Sequence, residues 1–382
     1  MPKSESKKLG APTGHEGSTR EQPKPDKVVN VTAKKCSNCG CKLGSPSFVE
    51  RRVIEEIPKP QPINVTQYNL PHYNCSNCGS ETIASHPDCP LEGRFGYNLL
   101  SEVALSKFED RLPYRKIGHS LKRRFGLTIT PSTIFDVTNR VSNHLKDDYK
   151  KLVTRIRLSQ IVNIDETSIR VNGKKFWIWI FKSRLCTLIV IRYSRGENVL
   201  REVLGDNFRG TIICDGWKPY FKFHKNIQRC WAHLLREAKY ISIALKDAIP
   251  FYKSLARMFK KLTRALEGNP PERVRNRLYL NAKRTLYNWL SKDYSEMRIN
   301  KFIKKVKTGL PYWFTFVLKP NVEPTNNAAE RGLREHVVIR KIIGTLRNTK
   351  GTQIQETLMS LFATWKQAGL DLRTQTINAL RS

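Results

Sequence analysis

The sequence predicts an α/β fold for the larger part of this chain, and three observations carry that prediction. Between Leu158 and Ser194 apolar residues recur with a period of two in three successive segments, as in β-strands. The first two segments flank Asn172-Gly173, residue types that accept the positive φ of a tight hairpin turn. Beyond them, helix-period segments alternate with short, wholly apolar ones, the pattern of a sheet covered by helices.

Residues 1–34 contain almost no large apolar side chains, so they are expected to form a disordered basic tail. Residues 35–92 carry Cys36-Ser-Asn-Cys39 and Cys75-Ser-Asn-Cys78, each followed by glycine. Two such pairs supply four thiolates at tetrahedral geometry, which predicts a zinc-ribbon-like module holding structural Zn²⁺ through Cys36, Cys39, Cys75 and Cys78. Cys41 and Cys89 stand close enough in sequence to substitute. The ribbon strands are expected in the alternating segments 50–58 and 63–70.

Residues 93–150 turn helical in period. A helix over 114–124 carries Ile117 and Leu121 inward and the basic Lys122, Arg123 and Arg124 near its end. The turn at Gly126 breaks it, and Thr130 or Ser132 caps the next helix. Two short helices around a glycine-containing turn predict a helix-turn-helix-like DNA-binding region, with Lys122, Arg123 and Arg124 as DNA contacts.

Residues 151–382 carry the chemistry. The order is three strands, a helix, a strand, a helix, a strand and a helix, which fits a ribonuclease-H-like domain. Asp165 lies on its first strand and Asp215 at the end of its fourth, so adjacent strands deliver both carboxylates to one sheet edge. Mg²⁺ or Mn²⁺ prefers such hard oxygen ligands, and two ions about 3.5–4 Å apart serve phosphoryl transfer. A third carboxylate is expected from Glu330 in PTNNAAERGLR, in the second turn of a helix capped by Thr325 or Asn326. Arg331 and Arg334 on that helix are in reach of phosphates. Glu166, next to Asp165, should point to the opposite side of its strand.

Three neighbours of these acids have two readings each. Cys230 and His233, one helical turn apart, form a possible metal pair, with a core role as the alternative for Cys230. His233 is expected to contact a phosphate or orient water. Trp217 either stacks on an unpaired base or covers the sheet edge. A helical insertion is expected over about 240–320. Residues 236–319 hold 20 Lys and Arg against six Asp and Glu, which suits a DNA-clamping face.

Charge sets the partner class. The chain has 68 Lys and Arg against 33 Asp and Glu in 382 residues, a net charge of +35, and double-stranded DNA is the expected polyanion. No run of about 18 apolar residues occurs, so no membrane span is expected. The first residues lack the apolar stretch of a secretory signal, which places the expected chain in the cytoplasm, on the nucleoid when bound to DNA.

Four blocks in order, VNIDETSIRVNGKKFWIWIF, LREVLGDNFRGTIICDGW, QRCWAHLLRE and EPTNNAAERGLR, resemble the DDE transposases of the insertion-sequence sixty-six (IS66) family. The likeness covers roughly residues 35–370. It implies that Asp165, Asp215 and Glu330 are the catalytic, metal-binding triad and that the cysteine pairs belong to the family's zinc-finger region. It further implies binding of terminal inverted repeats and target DNA, 3′-end cleavage by water and joining of the freed 3′-OH. A homo-oligomer on DNA and accessory proteins of the element are the implied partners. The alternative expectation is a catalytically inactive zinc-ribbon and helix-turn-helix regulator.

Overall fold

The computed structural model describes residue 21 and residues 23–382, so most of the expected basic tail lies outside the described residues. Its contacts divide the chain into two units, residues 1–60 and 61–382.

In the first unit, a single antiparallel bridge between Lys35 and Lys42 closes around the Cys36–Gly40 knuckle. The Gly40 amide donates to the Cys36 carbonyl at 2.9 Å, and a φ of 73° at Gly40 makes that close turn possible. In the second unit, β1 (His72–Asn74) and β2 (Glu81–Ile83) pair antiparallel around the second knuckle. There Gly79 donates to Cys75 at 2.8 Å with a φ of 70°, the same local conformation.

The strands expected at 50–58 and 63–70 are absent; the strands form instead against the knuckles. Ile54, Ile57 and Val65 stay exposed. Alternation marks a strand only when a partner strand and a buried face exist, and Pro58, Pro60 and Pro62 deny that stretch backbone donors.

Helices α1 (Tyr97–Phe108), α2 (Tyr114–Phe125), α3 (Pro131–His144) and α4 (Lys146–Arg157) follow. α2 ends on Gly126 in the left-handed conformation, and the Thr130 hydroxyl accepts from the Thr133 amide to cap α3. Their inward residues Leu100, Ile117, Leu121, Ile134 and Val141 share one apolar core with the central sheet.

That sheet has five strands: β3 (Ile161–Val171), β4 (Lys174–Lys182), β5 (Thr187–Arg192), β6 (Thr211–Cys214) and β7 (Ile227–Arg229). The spatial order is β5-β4-β3-β6-β7. The first three form an antiparallel meander, while β6 and β7 run parallel to β3. Asn172 and Gly173 have φ of 47° and 72°, as the β3–β4 hairpin requires. Helices α5 (Glu197–Leu204) and α6 (Lys218–Phe223) flank β6, and α7 (Trp231–Ala244) follows β7.

Between α7 and the last helices, α8 (Ile249–Leu266), α9 (Glu272–Leu290), α10 (Met297–Thr308) and the short α11 (Thr315–Leu318) build a second apolar core. Trp231 and Trp313 are at its centre, their rings edge-on at 6.1 Å, and the Trp231 indole donates to the Trp313 carbonyl at 2.5 Å.

The chain closes with α12 (Asn327–Ile343), α13 (Thr349–Gln367) and α14 (Leu372–Arg381). α13 covers the edge of β5 in an unusual way. Glu356, Ser360 and Thr364, spaced four apart on one helical face, accept from the amides of Ile191, Ile189 and Thr187, spaced two apart on the strand. The helix thereby satisfies edge donors that would otherwise face water or another chain. Among the described residues no helix is long and apolar enough to cross a membrane.

Candidate active site

Two parallel strands set the first two carboxylates. β3 and β6 are in register from Ile161 and Thr211 through Asn163 and Ile213. Two residues further on each strand stand Asp165 and Asp215, both half-buried. Asp165 lies within β3, which continues to Val171, whereas Asp215 immediately follows β6. The Asp165 carboxylate accepts from the Glu166 amide at 2.9 Å and that of Asp215 from the Trp217 amide at 2.8 Å. Burial first, then the charges of Glu166, Asp215 and Glu330, pushes the Asp165 carboxyl up to about 7. The acids therefore share one electrostatic neighbourhood.

Glu330 reaches that neighbourhood because α12 is fastened to β3 at both ends. Asn326, just ahead of the helix and buried, donates through its side-chain amide to the Ile164 carbonyl at 2.8 Å and accepts from Asn163 at 3.2 Å. Its side chain is used for this tie, so it makes no cap hydrogen bond to the helix, and Glu330 falls in the first turn rather than the expected second. At the far end Arg340 bonds the Ser168 carbonyl, and Leu346 exchanges backbone hydrogen bonds with Arg170 and Asn172. Between these ties Gly332 faces Ile180, the β4 residue paired with Asp165; a Cβ there would overlap Ile180 Cδ1.

The Oε1 atom of Glu330 is buried without a hydrogen-bond partner. His233 Nδ1 lies 3.6 Å from it, beyond hydrogen-bond range. Cys230, His233 and Glu330 offer ligand atoms within 4.8 Å of one another. Cys230 is nevertheless a poor thiolate: burial pushes its thiol up, and this outweighs the Asn326 amide, which donates to its sulfur at 3.2 Å and favours the thiolate. An orphaned buried carboxylate oxygen, in the electrostatic neighbourhood of Asp165, fits a hard divalent cation better than a soft one.

Glu166 does point away from Asp165, into the core. Its buried carboxylate binds the Tyr220 hydroxyl and makes a 2.8 Å ion pair with Arg195. Arg195 in turn is stacked between Trp177 at 4.6 Å and Trp217 at 4.2 Å. Trp217 is 37% exposed, so three residues beyond the end of β6 it offers partial ring surface to the cleft.

Arg331 and Arg334 on α12 are exposed and form no ion pair among the described residues. Lys122, Arg123 and Arg124 lie exposed on the last turn of α2. Of these, Arg124 is engaged by Glu102 at 2.8 Å, and Lys122 and Arg123 are the freer cations. The knuckle cysteines remain at their turns: hydrogen bonds from Cys39 and Asn38 lower the Cys36 thiol, and those from Ser80 lower Cys78, which favours the thiolate that a metal needs. Sequence reasoning weighed Asn326 only as a cap and passed over Asn163 and Arg229. Their types carry no catalytic signature, and only their burial reveals them.

Two comparisons bear on the whole. The model of the family described as "Transposase IS66 family" matches residues 92–354. An uncharacterized protein of Sinorhizobium fredii, y4qI, is 22% identical over 310 aligned residues, covering 72% of this chain and 57% of the relative. The chain thus spans little more than half the length of that curated relative.

Proposed function

From the premise that this chain belongs to the IS66 transposase family, we propose that it is a DDE transposase: it binds the ends of its element, cleaves DNA 3′ ends and joins them to target DNA. Asp165, Asp215 and Glu330 form the catalytic set, on a domain whose β5-β4-β3-β6-β7 order agrees with a ribonuclease-H-like sheet. They hold two Mg²⁺ or Mn²⁺ ions, which when bound supply charge neutralisation at the attacking and leaving oxygens. The single observation that carries this reading is the buried Oε1 of Glu330, left without a partner on a helix tied to the strand of Asp165.

The protein's own groups then position and neutralise. His233 orients water or contacts a phosphate beside Glu330, and Arg331 and Arg334 take backbone phosphates along α12. Trp217, backed by Arg195, presents its ring to a base near the cut. The α1–α4 region adds DNA contacts through Lys122, Arg123 and Arg124, and the knuckle thiolates hold structural Zn²⁺. The active form is a homo-oligomer on DNA, assisted by accessory proteins of the element.

The test is a Mg²⁺- or Mn²⁺-dependent cleavage and joining assay on DNA carrying the inverted repeats that flank the gene, with Asp215→Asn as control. Joined product from wild type alone is the expected result. Tight binding with neither cut nor joined product, after the element's accessory proteins have been supplied, would replace the transposase with a DNA-binding regulator.

A further inference from the structure

A buried arginine beside Asp215 has no hydrogen bond or ion pair for its guanidinium among the described residues. Arg229 ends β7, paired with Cys214 in register and so one residue from Asp215 on the neighbouring strand. It is 5% exposed, yet its Nε is buried without a hydrogen bond, and its guanidinium forms no ion pair among the described residues. The group is stacked on Trp313 at 4.2 Å and approached by Phe221 at 5.4 Å. Two glycines make room for it: a Cβ at Gly216 would overlap Nη2, and one at Gly309 would overlap Nη1.

Guanidinium stays charged at any physiological pH, and a buried charge without a direct partner is costly. Asp215 and Glu237 act on it through space without forming an ion pair with it among the described residues, and Glu237, the other acid of the cleft, is paired to Lys305 at 2.5 Å. Among the described residues no carboxylate therefore pairs directly with Arg229. The residue faces a cleft of about 510 Å³ that Asp215, His233, Arg236 and Lys305 also line. A planar cation clamped by an indole, with its forked donors facing a cleft, is the geometry that holds a tetrahedral oxyanion.

We propose that Arg229 is an anion-binding residue that takes a phosphate of the DNA backbone adjoining the one that reacts at Asp215. The anion site follows from the unpartnered guanidinium itself; its identification with a DNA phosphate rests on the transposase reading. Arg229 would thus set the register of the strand against the carboxylates. Arg236 supplies outer charge that draws the strand in.

The full chain is assayed in two ways. Melting is followed in inorganic phosphate against chloride at equal ionic strength, without divalent ions. Duplex binding is followed in Ca²⁺ over a range of KCl, for wild type, Arg229→Gln, Arg229→Lys and Gly216→Ala. Phosphate should raise the melting temperature of wild type and not that of Arg229→Gln or Gly216→Ala. The log–log salt slope of duplex binding should fall by about 0.9 in Arg229→Gln and be retained in Arg229→Lys. A purely structural arginine would lower the melting temperature in Arg229→Gln while leaving the slope and the wild-type phosphate response flat, and that overturns the proposal. Should Arg229→Gln not fold, the absence of a phosphate response in wild type overturns it equally. The transposase reading fails separately: a phosphate response that requires Arg229, with no cut or joined DNA from wild type, leaves the anion site standing and removes its DNA assignment.

Discussion

The side-chain amide of Asn326 donates to the main-chain carbonyl of Ile164 at 2.8 Å, one residue before Asp165. Through this contact the lead-in to α12 is held on the strand of the first carboxylate, which brings Glu330 from over a hundred residues away in sequence. Asn326→Ala leaves the Ile164 carbonyl and the Asn163 amide without this partner in the core, at a cost of about 1–3 kcal/mol. The expected outcome is a lower melting temperature together with weaker Mn²⁺ binding by calorimetry. Unchanged Mn²⁺ affinity would show that the tie does not position Glu330.

Metal binding should depend on pH through Asp165. Its carboxyl, ordinarily near 3.8, rises to about 7 in the fold, chiefly through burial. The folded chain therefore holds a proton that the unfolded chain has released across that window, and cation-free stability falls as pH rises through it. Asp165→Asn should be the more stable protein at pH 8 and lose that advantage by pH 4. A divalent cation must displace the same proton, so Mn²⁺ affinity should rise up to about tenfold per pH unit below 7 and level off above it. Equal melting temperatures of the two proteins at all pH values would contradict the assignment.

Gly332 is required where α12 crosses β4. Alanine in a helix is ordinarily worth about 1 kcal/mol over glycine, but here its Cβ overlaps Cδ1 of the fully buried Ile180. Gly332→Ala is expected to destabilise by about 1–3 kcal/mol through overpacking. Ile180→Val removes the offending methyl, so the double variant should recover part of the loss. Denaturant unfolding of all four proteins tests this, and strict additivity would place the cause elsewhere.

The edge of β5 depends on α13. Ser360→Ala removes the acceptor of the Ile189 amide, at 2.8 Å in a buried position, and should cost about 1–3 kcal/mol. Hydrogen exchange should quicken at Ile189 before it does at Ile180 in the sheet interior. Exchange that quickens uniformly would mean that α13 is not a local cover.

Zinc content tests the knuckles. Plasma emission on the purified full chain should find zinc, lowered in Cys36→Ser and in Cys75→Ser and removed by a strong chelator. Wild type with no zinc after expression in zinc-supplemented medium would leave these turns as hydrogen-bonded loops.

Much of the candidate site's placement could be read in the sequence because its residue types are chemically loud. Asp165, Asp215 and Glu330 stand in strand and helix patterns that local periodicity reveals, and the Asn172-Gly173 turn fixes the hairpin whose register the structure repeats. The segments 50–58 and 63–70 show where that reasoning fails. Alternation is necessary for a strand but does not provide the partner whose hydrogen bonds make one.

The sequence by itself therefore determined the order of elements, the strands and helix on which Asp165, Asp215 and Glu330 stand, and the basic character from which a polyanionic partner is expected, because each depends on neighbours within a few residues or on composition. Only the tertiary structure decided that Asn326 serves as a tie to β3, that Glu166 turns inward to Arg195 and Tyr220, that α13 seals an edge strand, and that Arg229 is buried unpaired. Burial and partnership arise when elements distant in the chain pack together. A polar side chain acquires its role from the dielectric and the donors that close around it, and no local pattern encodes either.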